Sequence, residues 1–213
     1  MPNVSDFRLG ADVVASDGKK IGTLVSVIVD QKGFEPRSLV VKEEESLRGR
    51  LRAAESLFTT DEVVIPISAV ESATHDAVQL SLSGPEVRRQ PIYLSYRPKP
   101  LSREEAALED ADVLTGTVGF PPEEEIANKP AGQIEIDRGE NVMLGATGRR
   151  LGRVQDVLFD NGELKGVVIR PDGFFTRDVV LPTAFIERAD DLALFAHLDE
   201  SDIEALKPFV DSE

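Results

Sequence analysis

The chain says the same thing twice, and that repeat limits its fold more than any other feature. Residues 12–30 read DVVASDGKKIGTLVSVIVD and residues 142–160 read VMLGATGRRLGRVQDVLFD. At one offset, which sets Asp12 against Val142, the turn glycines Gly18 and Gly148 coincide. So do the basic pairs Lys19-Lys20 and Arg149-Arg150, the steps Ile21-Gly22 and Leu151-Gly152, and the closing Asp30 and Asp160. In each copy a short strand, a tight turn and a long β-rich strand follow one another. Asp17-Gly18 is a strong turn pair because Gly accepts positive φ and Asp tolerates it. Gly22 and Gly152, at the start of the long strand, point to a bulge or a tight bend of the kind that curls a small sheet.

The correspondence continues downstream. Ser38-Leu39-Val40-Val41 matches Gly166-Val167-Val168-Ile169, at an offset shortened by two residues. Val63–Val70 then matches Val179–Ile186, and Pro66 and Pro182 should end a strand or lie on a free edge because proline lacks a ladder donor. A last strand is expected at Ala77–Leu80 and at Leu192–Phe195. Short strands at this spacing indicate a small β-barrel or a sandwich. Ser201 and Glu204 fit a capping box, so a short helix is expected over 201–207.

The expected organisation is a first module at 1–97, an acidic, proline-containing linker at 98–133 and a second module at 134–213. The linker should carry a helix over 103–112, capped by Ser102 in a capping box with Glu105. Its apolar residues Leu108, Leu114, Val118 and Phe120 are candidates to dock on a barrel.

The formal net charge is −15, and 41% of residues are hydrophobic, an ordinary share for a chain that buries a core. The acidity is uneven: residues 1–97 carry net −2, the linker −5 and residues 134–213 −8. Such a surface repels nucleic-acid phosphates and anionic headgroups, so nucleic acid is not an expected partner. No run approaches the ~20 apolar residues of a membrane span, and Met1–Asp6 does not look like a signal peptide. A cytoplasmic protein without direct membrane insertion is expected. With no cysteine, disulfides and thiolate chemistry are excluded.

These residues resemble the PRC-barrel family. The shared pattern is an Asp-Gly turn, an Ile-Gly step, an alternating strand ending in Asp, an aliphatic strand and a Val-Ile-Pro element. Asp17-Gly18, Ile21-Gly22, Asp30, Leu39-Val40-Val41 and Val64-Ile65-Pro66 carry it; residues 137–198 follow the same order less closely. The resemblance implies a mainly β chain, with two small PRC-type barrels in tandem and short helices in the linker and at the C-terminus. It also implies a protein-binding adaptor of bacterial or archaeal type. Members include the H subunit of the photosynthetic reaction centre and a ribosome maturation factor. Without a transmembrane helix or an RNA-associated N-terminal domain, neither of those two roles is expected.

Signals for chemistry are weak. His75 and His197 sit at non-equivalent positions, and no metal-binding spacing links them. Gly145–Gly148 lacks the context of a phosphate loop and reads as a hairpin. Asp190-Asp191 and Asp199–Asp202 could bind a hard cation such as calcium, but no EF-hand order is visible, and the second group reads as a helix cap. No enzyme activity, cofactor or metal is expected. The candidate partner-binding residues lie where the copies differ. Arg48, Arg50, Leu51 and Arg52 belong to a loop that only the first copy has, and Arg and Leu can anchor an interface. Phe174 and Phe175 sit at the matching turn of the second copy and either complete the core or form an exposed contact. The expected function is a non-enzymatic adaptor or scaffold whose partner is a protein, with a second copy of the chain as one candidate. The alternatives are a ligand-binding protein or enzyme with a site between the barrels, and a self-associating structural protein.

Overall fold

The computed structural model describes residues 3–4, 7–44, 62–98, 123–160, 162–172, 177–190 and 193–210. The first module contains β1 (Asn3–Val4), β2 (Asp12–Val14), β3 (Lys20–Asp30), β4 (Pro36–Glu43), β5 (Glu62–Pro66), β6 (Val70–Ala73), β7 (Ala77–Leu80) and the one-turn helix α1 (Gly84–Val87). An antiparallel ribbon of β8 (Leu94–Pro98) and β9 (Glu123–Ala127) follows. The rest comprises β10 (Gln133–Asp137), β11 (Asn141–Leu144), β12 (Arg150–Asp160), β13 (Glu163–Pro171), β14 (Val179–Pro182), β15 (Ile186–Ala189), β16 (Ala193–Ala196) and α2 (Glu200–Ala205).

The two copies share one wiring. β1-β6-β7-β2-β3-β4-β5 is the strand order of the first sheet, and β14-β13-β12-β11-β16-β15 is that of the second. The long strands bulge at equivalent places. β3 skips Ile21 against β2 and Val25 against β4; β12 skips Leu151 against β11 and Gln155 against β13. Each bulge accentuates the twist that curls the sheet around its core. Gly22 and Gly152 stand beside the first bulge for a steric reason. A Cβ on Gly22 would lie 2.0 Å from the Lys42 carbonyl oxygen, and one on Gly152 would lie 2.2 Å from that of Arg170.

Pro66 and Pro182 end β5 and β14, as expected, and each opens a single turn of 3-10 helix. The outer edges of β5 and β14 are covered by the same device. In the first module Val64 N–H donates to Pro91 O and Tyr93 N–H to Glu62 O, both at 2.8 Å. In the second, Val180 N–H donates to Lys207 O at 2.9 Å and Phe209 N–H to Asp178 O at 2.8 Å. Covering an edge in this way hides a template for unwanted strand pairing.

Two details differ from the sequence reading. The cap of α2 is Asp199, which forms a reciprocal box with Asp202, and Ser201 lies inside the helix. Asp199 wins because its carboxylate is placed to accept the Asp202 N–H at 2.8 Å. The hairpin of the second copy is also one residue longer. Ala15 closes its turn on Lys19, whereas Leu144 closes on Arg149. Before the turn, Asp12 therefore corresponds to Asn141 and Val13 to Val142. The helix expected at 103–112, with Leu108, Leu114, Val118 and Phe120, lies outside the described residues.

Ala substituted for Gly22 should cost about 2–4 kcal/mol, because backbone blocks the added carbon. Gly148 has φ +66° and open space around its Cβ direction. Gly148→Ala should cost only about 1 kcal/mol of backbone strain. Urea unfolding of both variants checks the order.

Candidate functional site

The two modules meet along a seam built by an exchange of segments. The alternating stretch Gln133-Ile134-Glu135-Ile136-Asp137 forms β10 and joins the first module's sheet, pairing antiparallel with Ser26–Asp30 of β3. In the other direction Phe7, just ahead of β2, stacks on Phe159 of β12 with ring centroids 4.3 Å apart. Ile134, Ile136 and Phe7 are all buried, and one hydrophobic core runs through both modules. Gly10 and Gly139, with φ of +97° and +98°, turn the crossing segments back into their own modules.

Polar contacts lock the exchange. Leu9 N–H donates to Asp156 Oδ1 at 2.8 Å, and Arg8 lies 3.4 Å from the same carboxylate. Arg8 also stacks over the Phe209 ring at 4.8 Å. Arg138 donates to Leu9 O at 2.7 Å and to Gln155 O at 3.0 Å. Gln31 reaches across to Ala189 O at 3.1 Å. On the opposite face of β3 the Glu135 carboxylate accepts hydrogen bonds from Ser26 Oγ and Tyr93 Oη. Tyr93 is buried against Ile28 and Val40, which form a second small core on that face.

An open cleft of about 760 Å³ lies along this seam, with Ser26, Tyr93, Lys129, Glu135, Asp137 and Arg138 among its lining residues. The carboxylates of the cleft and of the adjoining seam are unequal. Glu135 is held by two hydroxyl donors. Partial burial and then the charge of Glu135 push Asp137 above its ordinary value. Burial also raises Asp156, against the pull of the Leu9 and Val157 amides and of Arg8.

Glu140 is the outlier. Both of its carboxylate oxygens are shut off from solvent and have no hydrogen-bond partner among the described residues. Burial, then the Asp137 charge, raises it to about 9. The register explains its presence. Val154 N–H donates to Glu140 O as Leu24 N–H donates to Ala11 O, each at 2.9 Å. Glu140 thus occupies the position that the first copy gives to the buried Ala11.

The residues singled out from sequence are not gathered here. Arg48, Arg50, Leu51, Arg52, Phe174 and Phe175 lie outside the described residues. His75 precedes β7 and His197 follows β16, the equivalent strand, so they sit at opposite strand ends in different modules. Gly148 is a hairpin residue. Asp190 accepts from Ala193 N–H within a turn at 3.1 Å. Among the described residues no cluster of His, Asp and Glu is arranged to hold a metal ion. Among the described residues no helix is long and apolar enough to cross a membrane. Glu135, Tyr93 and Glu140 were not marked by any sequence motif; alternation in 133–137 was the one available sign of β10.

Two curled β modules of one wiring, joined at a seam, define a tandem small-barrel protein. The family model for the PRC-barrel domain matches residues 8–81 and again 138–200, and the chain belongs to that family. No curated protein matches the chain significantly.

Glu140 has a testable consequence for stability. Its folded value, about 9, lies above that of an unfolded glutamate near 4.5. Between those values the folded state binds the extra proton, so stability falls as pH rises through the window and levels off above it. The slope is at most about 1.4 kcal/mol per pH unit. Glu140→Gln should remove that slope, so the variant should gain on the wild type from pH 5 to pH 9 in urea-unfolding titrations.

Proposed function

We propose that this protein is a non-enzymatic, protein-binding adaptor that works in the cytoplasm. One observation carries the reading. The copies differ in length and composition over residues 45–61 and 173–176, which connect equivalent strands, β4 to β5 and β13 to β14. Equivalent pairs of strands are thus joined by segments of unlike length and sequence, a pattern suited to recognition by variable connections on a constant scaffold. The seam supports it further. Ser26, Tyr93, Glu135, Arg138, Asp156 and Arg8 bond to one another or to backbone, which favours a structural role for them at the joint. The partner is a protein that the Arg48–Arg52 loop and the Phe174-Phe175 turn engage together. Arg and aromatic side chains are the usual anchors of such contacts.

The adaptor role is tested by affinity capture with the whole chain and with Arg48, Arg50 and Arg52 all changed to Glu. The wild type should retain a defined protein partner, and the variant should lose at least tenfold of it while keeping its circular dichroism melting curve. Equal recovery by both chains would remove the loop from the interface. A wild type that retains no protein in excess of control resin would contradict the adaptor role itself.

A further inference from the structure

Glu140 belongs to the turn between β10 and β11, and β10 is the strand that crosses to the other module. The first copy shows what the position needs for packing alone, since Ala11 fills it with a methyl group and is buried. A carboxyl group there has no structural partner to satisfy. Its oxygens meet no donor in full hydrogen-bond geometry among the described residues; the Asp137 amide favours the charged form, but burial and the Asp137 charge outweigh it.

The charged neighbours make ionisation more costly. Asp137 and Glu135, both on β10, face Glu140 with negative charge, and Lys129 ahead of β10 offers a weak opposing one. Arg138 is spent on the Leu9 and Gln155 carbonyls. Asp156 of β12 is paired with Arg8. Arg153, opposite Asn141 on β12, is exposed to solvent.

We propose that Glu140 makes the joint between the two modules proton-sensitive: its neutral carboxyl keeps the β10–β11 turn seated and β10 on β3, and its ionised form releases them. No covalent bond changes, and the proton passes to bulk water. In the proposed release the carboxylate gains its hydration as the turn lifts from β12. That breaks the reciprocal bonds of Gly139 N–H to Val154 O, at 2.8 Å, and of Val154 N–H to Glu140 O, at 2.9 Å. Gly139, at φ +98°, sits where the chain can pivot. Asp137 pairs with Ser26 at the adjoining end of β10, so the loosening passes directly into the seam. The elevated value of Glu140, about 9, means that the release grows across the neutral range. Through that range the open population rises about tenfold per pH unit for one proton.

Hydrogen exchange read by mass spectrometry tests this on the full chain as wild type, Glu140→Gln and Glu140→Ala. Labelling at pH 6 and pH 8 uses times scaled to the intrinsic exchange rates. In the wild type, protection over 133–142 and 22–30 should fall by up to about 100-fold, while β13 keeps its protection. Neither variant should show that change. A wild type without the loss, variants that lose protection equally, or a loss spread evenly over all peptides would each overturn the proposal. The Ala variant copies the residue of the first module, and the Gln variant keeps the shape of the side chain, so a failure of either one to fold leaves the other decisive.

Discussion

Strand β10 leaves its own half of the chain and pairs with β3 of the other, and the rest of the molecule depends on that crossing. Each module alone is small, and a small module buries too little of its surface to be more than marginally stable. The crossing removes this weakness. Ile134, Ile136, Phe7 and Phe159 enter a core shared by both modules. The same segments bring Glu135 under Ser26 and Tyr93, and Leu9 against Asp156. Polar groups placed at such a joint must be paired, because an unpaired buried group costs about 1–3 kcal/mol. All the seam groups above meet this condition except Glu140.

The seam has an approximate internal symmetry. Phe7 leads into Gly10 and β2, and Ile136 leads into Gly139 and β11. Both leading residues are buried, and both glycines have positive φ. Each module therefore lends its leading segment to the other. The symmetry is broken at single side chains. Asp156 faces Leu9 and Arg8, while Ser26, its counterpart on β3, faces Glu135. Ala11 is matched by Glu140. These departures concentrate charge and titration in the second half, which also carries most of the net acidity.

Much of the fold was legible in the sequence. Asp17-Gly18 and Gly148 announced the hairpins, period-two alternation the strands, and Pro66 and Pro182 the strand ends, because each of these is a local constraint. The pairing of β10 was not legible. Gln133–Asp137 alternates as a strand should, but alternation does not name a partner in another module. Glu140 stayed hidden for a different reason. A single offset sets it against Gly10, and the extra residue in the second hairpin moves it to the Ala11 position, where a carboxyl group is out of place. Tyr93 lies near the end of the expected first module without any motif around it, and its hydroxyl finds Glu135 through tertiary packing alone. The loop and turn residues nominated for partner binding rest on the difference between the copies, which sequence displays directly.

The central claim is that the seam makes two modules into one cooperative body. Differential scanning calorimetry of the whole chain at pH 6 tests it most directly. A single transition whose calorimetric and van't Hoff enthalpies agree within about 10% is the predicted result, since two-state unfolding requires that equality. Two resolvable transitions, or a van't Hoff enthalpy near half the calorimetric one, would mean that the modules unfold independently and would contradict the account.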